Sequence, residues 1–235
     1  MIRSIKILLV CFLSLSLLVA ASVIEIAPYP WLKVSYTGEA KVFNTSCEKL
    51  NYEDPFYHAQ GDTLSYIKIM EYIPNEFDND LYSILFSIGE SGDSRYEFYL
   101  EGEFQVPAFI LHTDHLDFLG KGIVVARGSM NEMFMRSRKF EIKNGRIKEL
   151  IQPFYAVDLQ SEATKDFDIF LTKRLKKVIE HVEQGDKISV LVAEFKDKYT
   201  YYLVRSELGL TGWIKINQGL WVDETPIKDL YYHGD

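Results

Sequence analysis

The fold of the C-terminal third is decided by the stretch Gly185-Asp186-Lys187-Ile188-Ser189-Val190-Leu191-Val192 and by two segments that follow it. These segments are Tyr201-Tyr202-Leu203-Val204-Arg205 and Gly209-Leu210-Thr211-Gly212-Trp213-Ile214. A Gly-Asp turn leads into an apolar strand, an aromatic strand follows, and a Gly-x-x-Gly-Trp turn closes the series. This order of turns and strands predicts a small β-barrel.

The same residues carry a resemblance to a known family. From about Asp158 to Ile216 the chain resembles the bacterial SH3 (SH3b) modules of extracytoplasmic proteins, through the segments 178–191, 202–205 and 209–214. It departs from the family where Tyr201 or Tyr202 stands at a frequent tryptophan position. The resemblance implies an SH3-like closed barrel. It also implies a role in attaching envelope proteins or cell-wall enzymes to peptidoglycan or peptide ligands.

The N-terminus predicts a signal peptide over residues 1–21. Arg3 and Lys6 precede an apolar run from Ile7 to Val19, and small residues stand before Ser22 at the expected cleavage position. An uncleaved membrane anchor is the alternative, although the run is short for a bilayer span. The protein is therefore expected to be exported, to the periplasm or outside the cell, with no membrane span after cleavage.

Charge and cysteine content exclude some classes of function. The chain has 26 basic and 34 acidic residues, a net charge of −8, which argues against nucleic acid as a partner. Of the two cysteines, only Cys47 lies beyond the leader, so neither an intramolecular disulfide nor a cysteine-based metal cage is expected. No cofactor is predicted.

Before the barrel, residues 22–153 alternate in hydrophobicity and predict an antiparallel β domain of unknown function. This domain resembles only uncharacterised secreted proteins, and that likeness implies no activity. Asn144-Gly145 predicts a tight hairpin, and Thr37-Gly38 predicts an earlier one. Residues 154–235 are assigned to the barrel with a C-terminal extension, whose apolar residues are expected to pack back onto the body.

The segment 167–182 is ambiguous. Its apolar residues recur at helix spacing, yet the β-branched residues at Val178, Ile179 and Val182 favour a strand. The Gly185-Asp186 sequence, interpreted as a hairpin turn, favours two strands here. A single helix is the alternative.

The sequence gives weak support for a catalytic site or a metal site. Cys47 is the only thiol available for a Cys–His hydrolase, but a loop or buried cysteine is the simpler interpretation. His112, Asp114 and His115 could converge on Zn²⁺ from a turn, although a polar turn is again the simpler interpretation. Nucleotide-binding loops and a serine nucleophile elbow are missing from the sequence.

Aromatic residues are the strongest binding candidates. Tyr199, Tyr201 and Trp221 are predicted to be exposed contacts, and Trp213 is assigned mainly to the core while remaining a ligand-binding candidate.

The sequence therefore predicts a mostly β protein. Its expected function is non-enzymatic binding in the cell envelope, to a cell-wall component, a peptide or an envelope protein. Two other classes remain open. One is a cell-wall hydrolase that uses Cys47 or a metal at His112 and His115, and the other is a purely structural partner protein.

Overall fold

The computed structural model describes residues 21–26, 29–50, 66–74, 80–89 and 92–234, and every regular element in these residues is a strand. The prediction of a mostly β fold is confirmed. The predicted signal peptide lies outside the described residues, apart from Ala21. Within the described ranges, no helix is long and apolar enough to cross a membrane.

Eighteen strands are present in the described part of the chain. In chain order they are β1 Ser22–Glu25, β2 Lys33–Tyr36, β3 Lys41–Phe43, β4 Glu48–Lys49, β5 Ile67–Ile73, β6 Tyr82–Ile88, β7 Ser94–Leu100, β8 Phe109–His112, β9 His115–Gly120, β10 Ile123–Gly128, β11 Arg136–Lys143, β12 Arg146–Glu149, β13 Tyr155–Glu162, β14 Phe167–Phe170, β15 Val178–Val182, β16 Lys187–Lys196, β17 Tyr199–Ser206 and β18 Thr211–Asn217.

These strands form three sheets. Sheet 1 has the order β1-β2-β9-β10-β11-β12, sheet 2 has the order β3-β5-β6-β7-β8 with β4 also on β5, and sheet 3 has the order β13-β16-β17-β18-β14-β15. All pairs are antiparallel except β2 with β9, which run parallel. The predicted N-terminal antiparallel domain thus contains one parallel pair.

Sheets 1 and 2 pack face to face around one hydrophobic core. Phe118 of sheet 1 has its ring centroid 4.7 Å from that of Tyr72 and 6.2 Å from that of Phe98, both of sheet 2. Alternating residues of each strand point into this layer, as the period of two in the sequence requires.

One of the two N-terminal hairpin predictions holds. Asn144 and Gly145 adopt positive φ angles of 51° and 68° and join the paired strands β11 and β12, as predicted. The hairpin around Thr37-Gly38 is wrong, because β2 pairs with β1 and β9 in sheet 1 whereas β3 pairs with β5 in sheet 2. The chain changes sheets at this turn.

Residues 167–182 form two strands, β14 and β15, and the helix alternative is wrong. The turn at residues 183–186 is present, with the amide of Asp186 donating to the carbonyl of Glu183 at 3.1 Å. It does not make a hairpin, because β15 pairs with β14 while β16 pairs with β13 and β17. The described residues form no ladder between β13 and β15, so the pairing of sheet 3 is open at its two ends.

Sheet 3 surrounds a second hydrophobic core that draws residues from outside its own strands. Met133 and Phe134, which precede β11 of sheet 1, are buried in it. Ile227 and Leu230 of the C-terminal extension are fully buried in the same core, which confirms that the extension packs back onto the body.

Arg136 joins the two halves of the molecule. Its guanidinium lies 4.2 Å from the ring centroid of Tyr155 and 4.3 Å from that of Phe195. It also forms ion pairs with Glu132 at 2.7 Å and Glu149 at 3.3 Å. A residue of sheet 1 is thereby held against two aromatic rings of sheet 3.

The structure requires glycine at both glycine positions of the Gly-x-x-Gly-Trp sequence. Gly209 has a φ of 84° in the turn between β17 and β18, a conformation that favours glycine. Gly212 packs closely against the paired strands β14 and β15. A Cβ atom there would stand 2.5 Å from the carbonyl oxygen of Phe170 and 2.8 Å from the Cδ1 of Ile179. Only glycine lets these strands approach so closely.

We expect Gly212→Ala to destabilise the protein by about 1–3 kcal/mol, because the methyl group would push the backbone of Phe170 away. Denaturant unfolding measures this change. Thr211→Ala, at the exposed neighbouring position, is the control and should change stability by less than about 0.5 kcal/mol. Equal stability of Gly212→Ala and the native protein would contradict the close packing at Gly212.

Candidate functional site

The candidate site is the outer surface of sheet 3. Thr200, Tyr202 and Val204 of β17 are buried, so the alternating residues Tyr199, Tyr201 and Leu203 point outward. On β18 the buried residues are Gly212, Ile214 and Ile216, and the outward positions between them hold Trp213 and Lys215. The two strands pair in register, with Leu203 opposite Trp213 and Tyr201 opposite Lys215.

We define the aromatic face as Phe154, Tyr199, Tyr201, Leu203 and Trp213. The rings of Tyr199 and Tyr201 meet edge to face, with centroids 5.4 Å apart. Phe154 is 47% exposed, and the four other side chains are partly exposed. Single exposed apolar residues are ordinary on a protein surface, so it is the grouping of these five side chains that makes the face a candidate binding surface.

Lys173 connects the two ends of this group. It extends from the connection between β14 and β15, and its ammonium lies 5.2 Å from the ring centroid of Trp213 and 5.7 Å from that of Phe154. Both distances fall within the range of a cation–π interaction. Lys173 thus holds the two rings on one surface.

Charged groups border the aromatic face. Glu194 of β16, opposite Tyr201, accepts from Lys173 and forms an ion pair with Lys196 at 3.2 Å. The hydrogen bond from Lys173 is the largest cause of a lowered pKa for Glu194, so this carboxyl stays ionised.

Unlike Lys173 and Lys196, Lys215 has no carboxylate partner among the described residues. Its ammonium lies 4.1 Å from the ring centroid of Tyr199, and it forms no ion pair with any described carboxylate. The aromatic face therefore combines flat apolar rings with a cation that remains available to an acidic group.

The structure separates the four predicted binding residues into two groups. Tyr199, Tyr201 and Trp213 lie together on the aromatic face. Trp213, which the sequence pattern assigns mainly to the core, points outward because the inner positions of β18 belong to Gly212, Ile214 and Ile216. Trp221, 49% exposed, belongs to the C-terminal extension, where it packs edge to face on Tyr232.

The histidine cluster does not come together as a metal site. His112 ends β8 near Arg95 and Arg138, whereas His115 begins β9 near Arg127. Burial is the main cause of a lowered pKa for both histidines. Asp114 accepts a hydrogen bond from Ser94 at 3.2 Å. In the described part of the chain, no three His, Cys, Asp or Glu residues are arranged to hold a metal ion.

Cys47 lies in a loop with a positive φ of 50° and packs against the first core. Burial raises the pKa of its thiol. A nucleophilic cysteine needs the opposite shift, because the thiolate is the reactive form.

One buried polar group was missed by sequence reasoning. Glu97 of β7 is fully buried, and Arg95 approaches its carboxylate at 2.6 Å. Tyr66 donates to it at 3.2 Å, and Tyr99 donates to its other oxygen. Since both oxygens are partnered, the group is a satisfied structural carboxylate.

Sequence reasoning also missed Phe154, Lys173, Glu194 and Lys215. The alternation of residues along a strand could have placed Glu194 and Lys215 beside Tyr199 and Tyr201, because both occupy outward positions on strands that the sequence predicted. Lys173 carried no such signal, because it lies in the segment whose structure was ambiguous.

Comparison of the chain with models of known protein families, with curated proteins and with solved structures found no match.

We predict that Lys173→Gln raises the pKa of Glu194 toward its ordinary value, since the hydrogen bond from Lys173 is the largest cause of the lowered pKa. A carboxyl whose pKa is lowered on folding contributes stability above its unfolded-state pKa and loses it as the pH falls through the folded-state pKa. An NMR titration of the Glu194 carboxyl carbon measures the shift.

Lys215→Gln removes an equal charge from β18 and is the control, because Lys215 is not among the groups that shift the pKa of Glu194. A Glu194 pKa that is equally unaffected by both substitutions would contradict the assigned contact.

Proposed function

We propose that this protein is an exported, non-enzymatic binding protein of the cell envelope. Its C-terminal sheet contacts peptidoglycan, a peptide or another envelope protein through the aromatic face. The observation that carries the proposal is the grouping of Tyr199, Tyr201 and Trp213 on one outward surface of sheet 3. The leader-like residues 1–21 support export, and the likeness of residues 158–216 to bacterial SH3 modules supports a binding role.

The chemistry of the aromatic face suits recognition. Tyrosine and tryptophan present large rigid surfaces at a low cost in side-chain entropy, and both are enriched where proteins bind partners. Their rings pack against apolar surfaces, while the tyrosine hydroxyls and the indole N–H can form hydrogen bonds with polar groups. A ligand with both kinds of surface, such as a sugar ring or a peptide, fits this face.

The dimensions of the face favour a linear ligand. Tyr199 and Leu203 are four residues apart on β17, so they are separated by about 13 Å along the strand. An extended peptide of about four residues covers the same distance. A short portion of a polymer lying along β17 would therefore contact Tyr199, Tyr201 and Leu203 in turn.

The charges favour a ligand that carries an acidic group. Lys196 and Lys173 are paired with Glu194, whereas Lys215 has no carboxylate partner among the described residues. A carboxylate on the ligand would pair with Lys215 next to the Tyr199 ring. The strength of this contact should fall with added salt, because the pair is exposed.

We expect the purified protein to be retained by cell wall in a sedimentation assay, and Trp213→Ala to weaken retention about tenfold or more. This magnitude corresponds to the loss of a central aromatic contact. Tyr201→Ala should weaken it in the same direction. The bound fraction as a function of cell-wall concentration is the measurement.

Trp221→Ala is the matched control. It removes a half-exposed tryptophan from the C-terminal extension and should leave retention unchanged. If the native protein is not retained, the wall-binding form of the proposal is wrong. If Trp213→Ala and the native protein are retained equally, the aromatic face is not the contact surface.

A further inference from the structure

Two adjoining concavities lie at the end of sheet 3 that follows Leu203 along β17. The first has a volume of about 470 Å³ and the second about 270 Å³. Both are lined by Lys187, Ser206 and Glu207, so they meet at these residues. The larger one falls in the size range of small-ligand sites.

The larger concavity carries a net positive charge, because Lys187 and Arg205 outnumber Glu207, the one lining carboxylate that has no ion pair among the described residues. Arg205 and Lys187 line it from β17 and β16, and neither forms an ion pair with a described carboxylate. Glu162 also lines it but is paired with Lys228 at 3.0 Å. The guanidinium of Arg205 offers parallel N–H donors that match a carboxylate.

Polar side chains extend this surface across the sheet. Ser189 stands opposite Arg205 in register, and its hydroxyl donates to the side-chain oxygen of Gln160 at 2.7 Å. The hydroxyl can still accept a hydrogen bond from a ligand. An anionic group bound here would meet hydrogen-bonding partners on three adjacent strands.

The smaller concavity is acidic in character. Glu180, Glu183 and Asp186 line it, and one carboxylate oxygen of Glu180 is buried without a hydrogen-bond partner among the described residues. His181 also lines it but is already engaged with Asp168 at 2.8 Å. An unsatisfied buried carboxylate oxygen is costly, and a ligand ammonium would satisfy it.

Ser206 stands where the two concavities meet. Its side chain is 8% exposed, and its hydroxyl is buried with no partner in the described part of the chain. A hydroxyl both donates and accepts, so it matches a peptide group. Leu208, strongly exposed beside the acidic concavity, adds an apolar contact for a ligand side chain.

We propose that the paired concavities bind a zwitterionic ligand, an amino acid or short peptide whose ammonium meets Glu180 and whose carboxylate meets Arg205 and Lys187. Ser206 contacts the polar atoms between the two charges. This site is separate from the aromatic face and does not rest on the function proposed above, since its ligand is recognised by two opposite charges.

Trialanine with free termini is the probe, compared with its N-acetylated and C-amidated forms and with free alanine. Binding to the purified protein is followed by calorimetry and by amide shifts in NMR spectra. We expect trialanine to shift the amides of Ser206 and its neighbours, and each capped form to bind at least tenfold more weakly. Tighter binding of trialanine than of alanine identifies a peptide site, and the reverse identifies an amino-acid site.

Two variants assign the charges. Arg205→Gln should weaken the binding of trialanine at least tenfold and leave the weak binding of the C-amidated peptide unchanged. Glu180→Gln should also weaken the binding of trialanine at least tenfold, and it should leave the weak binding of the N-acetylated peptide unchanged. Arg146→Gln and Glu25→Gln, which alter exposed residues of sheet 1, should bind trialanine normally. Native-like NMR spectra of all four variants exclude misfolding.

Failure of both alanine and trialanine to bind would overturn the proposal. Equal binding of the capped and free peptides would overturn it as well, because recognition would then not depend on the two charges.

Discussion

The close packing of β14 and β15 against Gly212 holds the C-terminal sheet together. Because position 212 has no side chain, the carbonyl of Phe170 comes to 2.5 Å from where a Cβ would stand. Phe170 then pairs with Trp213, and this single rung joins the meander β16-β17-β18 to the pair β14-β15. Gly212 lies on the inner side of β18, so the indole of the next residue, Trp213, is directed outward.

Both surfaces to which we assign binding lie on that sheet. The aromatic face occupies the first part of β17 and the basic concavity its last part, with Arg205 two residues beyond Leu203 on the same side of the strand. The N-terminal sandwich is tied to this sheet by Arg136, by Phe134 and by the C-terminal extension, which reaches back so that Tyr232 donates to Asn131 at 2.8 Å. The aromatic face and the two concavities therefore stand on a sheet braced from its opposite side.

Local features of the fold could be predicted from the sequence, and long-range pairings could not. Alternation and turn residues identified β11, β12 and the strands from β16 to β18, because these depend on neighbours in the chain. The parallel pairing of β2 with β9 joins residues about eighty apart, such as Ser35 and Asp117. β3 is separated from β2 because it pairs with β5, about thirty residues further along the chain. The sequence around Thr37-Gly38 carries no signal for that choice. Tyr199 and Tyr201 were recognisable as surface residues from local alternation in one strand. Lys173 was not, because its position depends on contacts with residues distant in the sequence.

We propose that this protein meets its ligand at the outer surface of β17 and β18. Chemical-shift mapping with soluble cell-wall fragments tests it most directly, since every backbone amide reports on its own position. We expect the largest shifts at Tyr199 to Leu203 and at Trp213, with the amides of sheets 1 and 2 unchanged. Shifts confined to sheets 1 and 2, or none at saturating fragment, would contradict it.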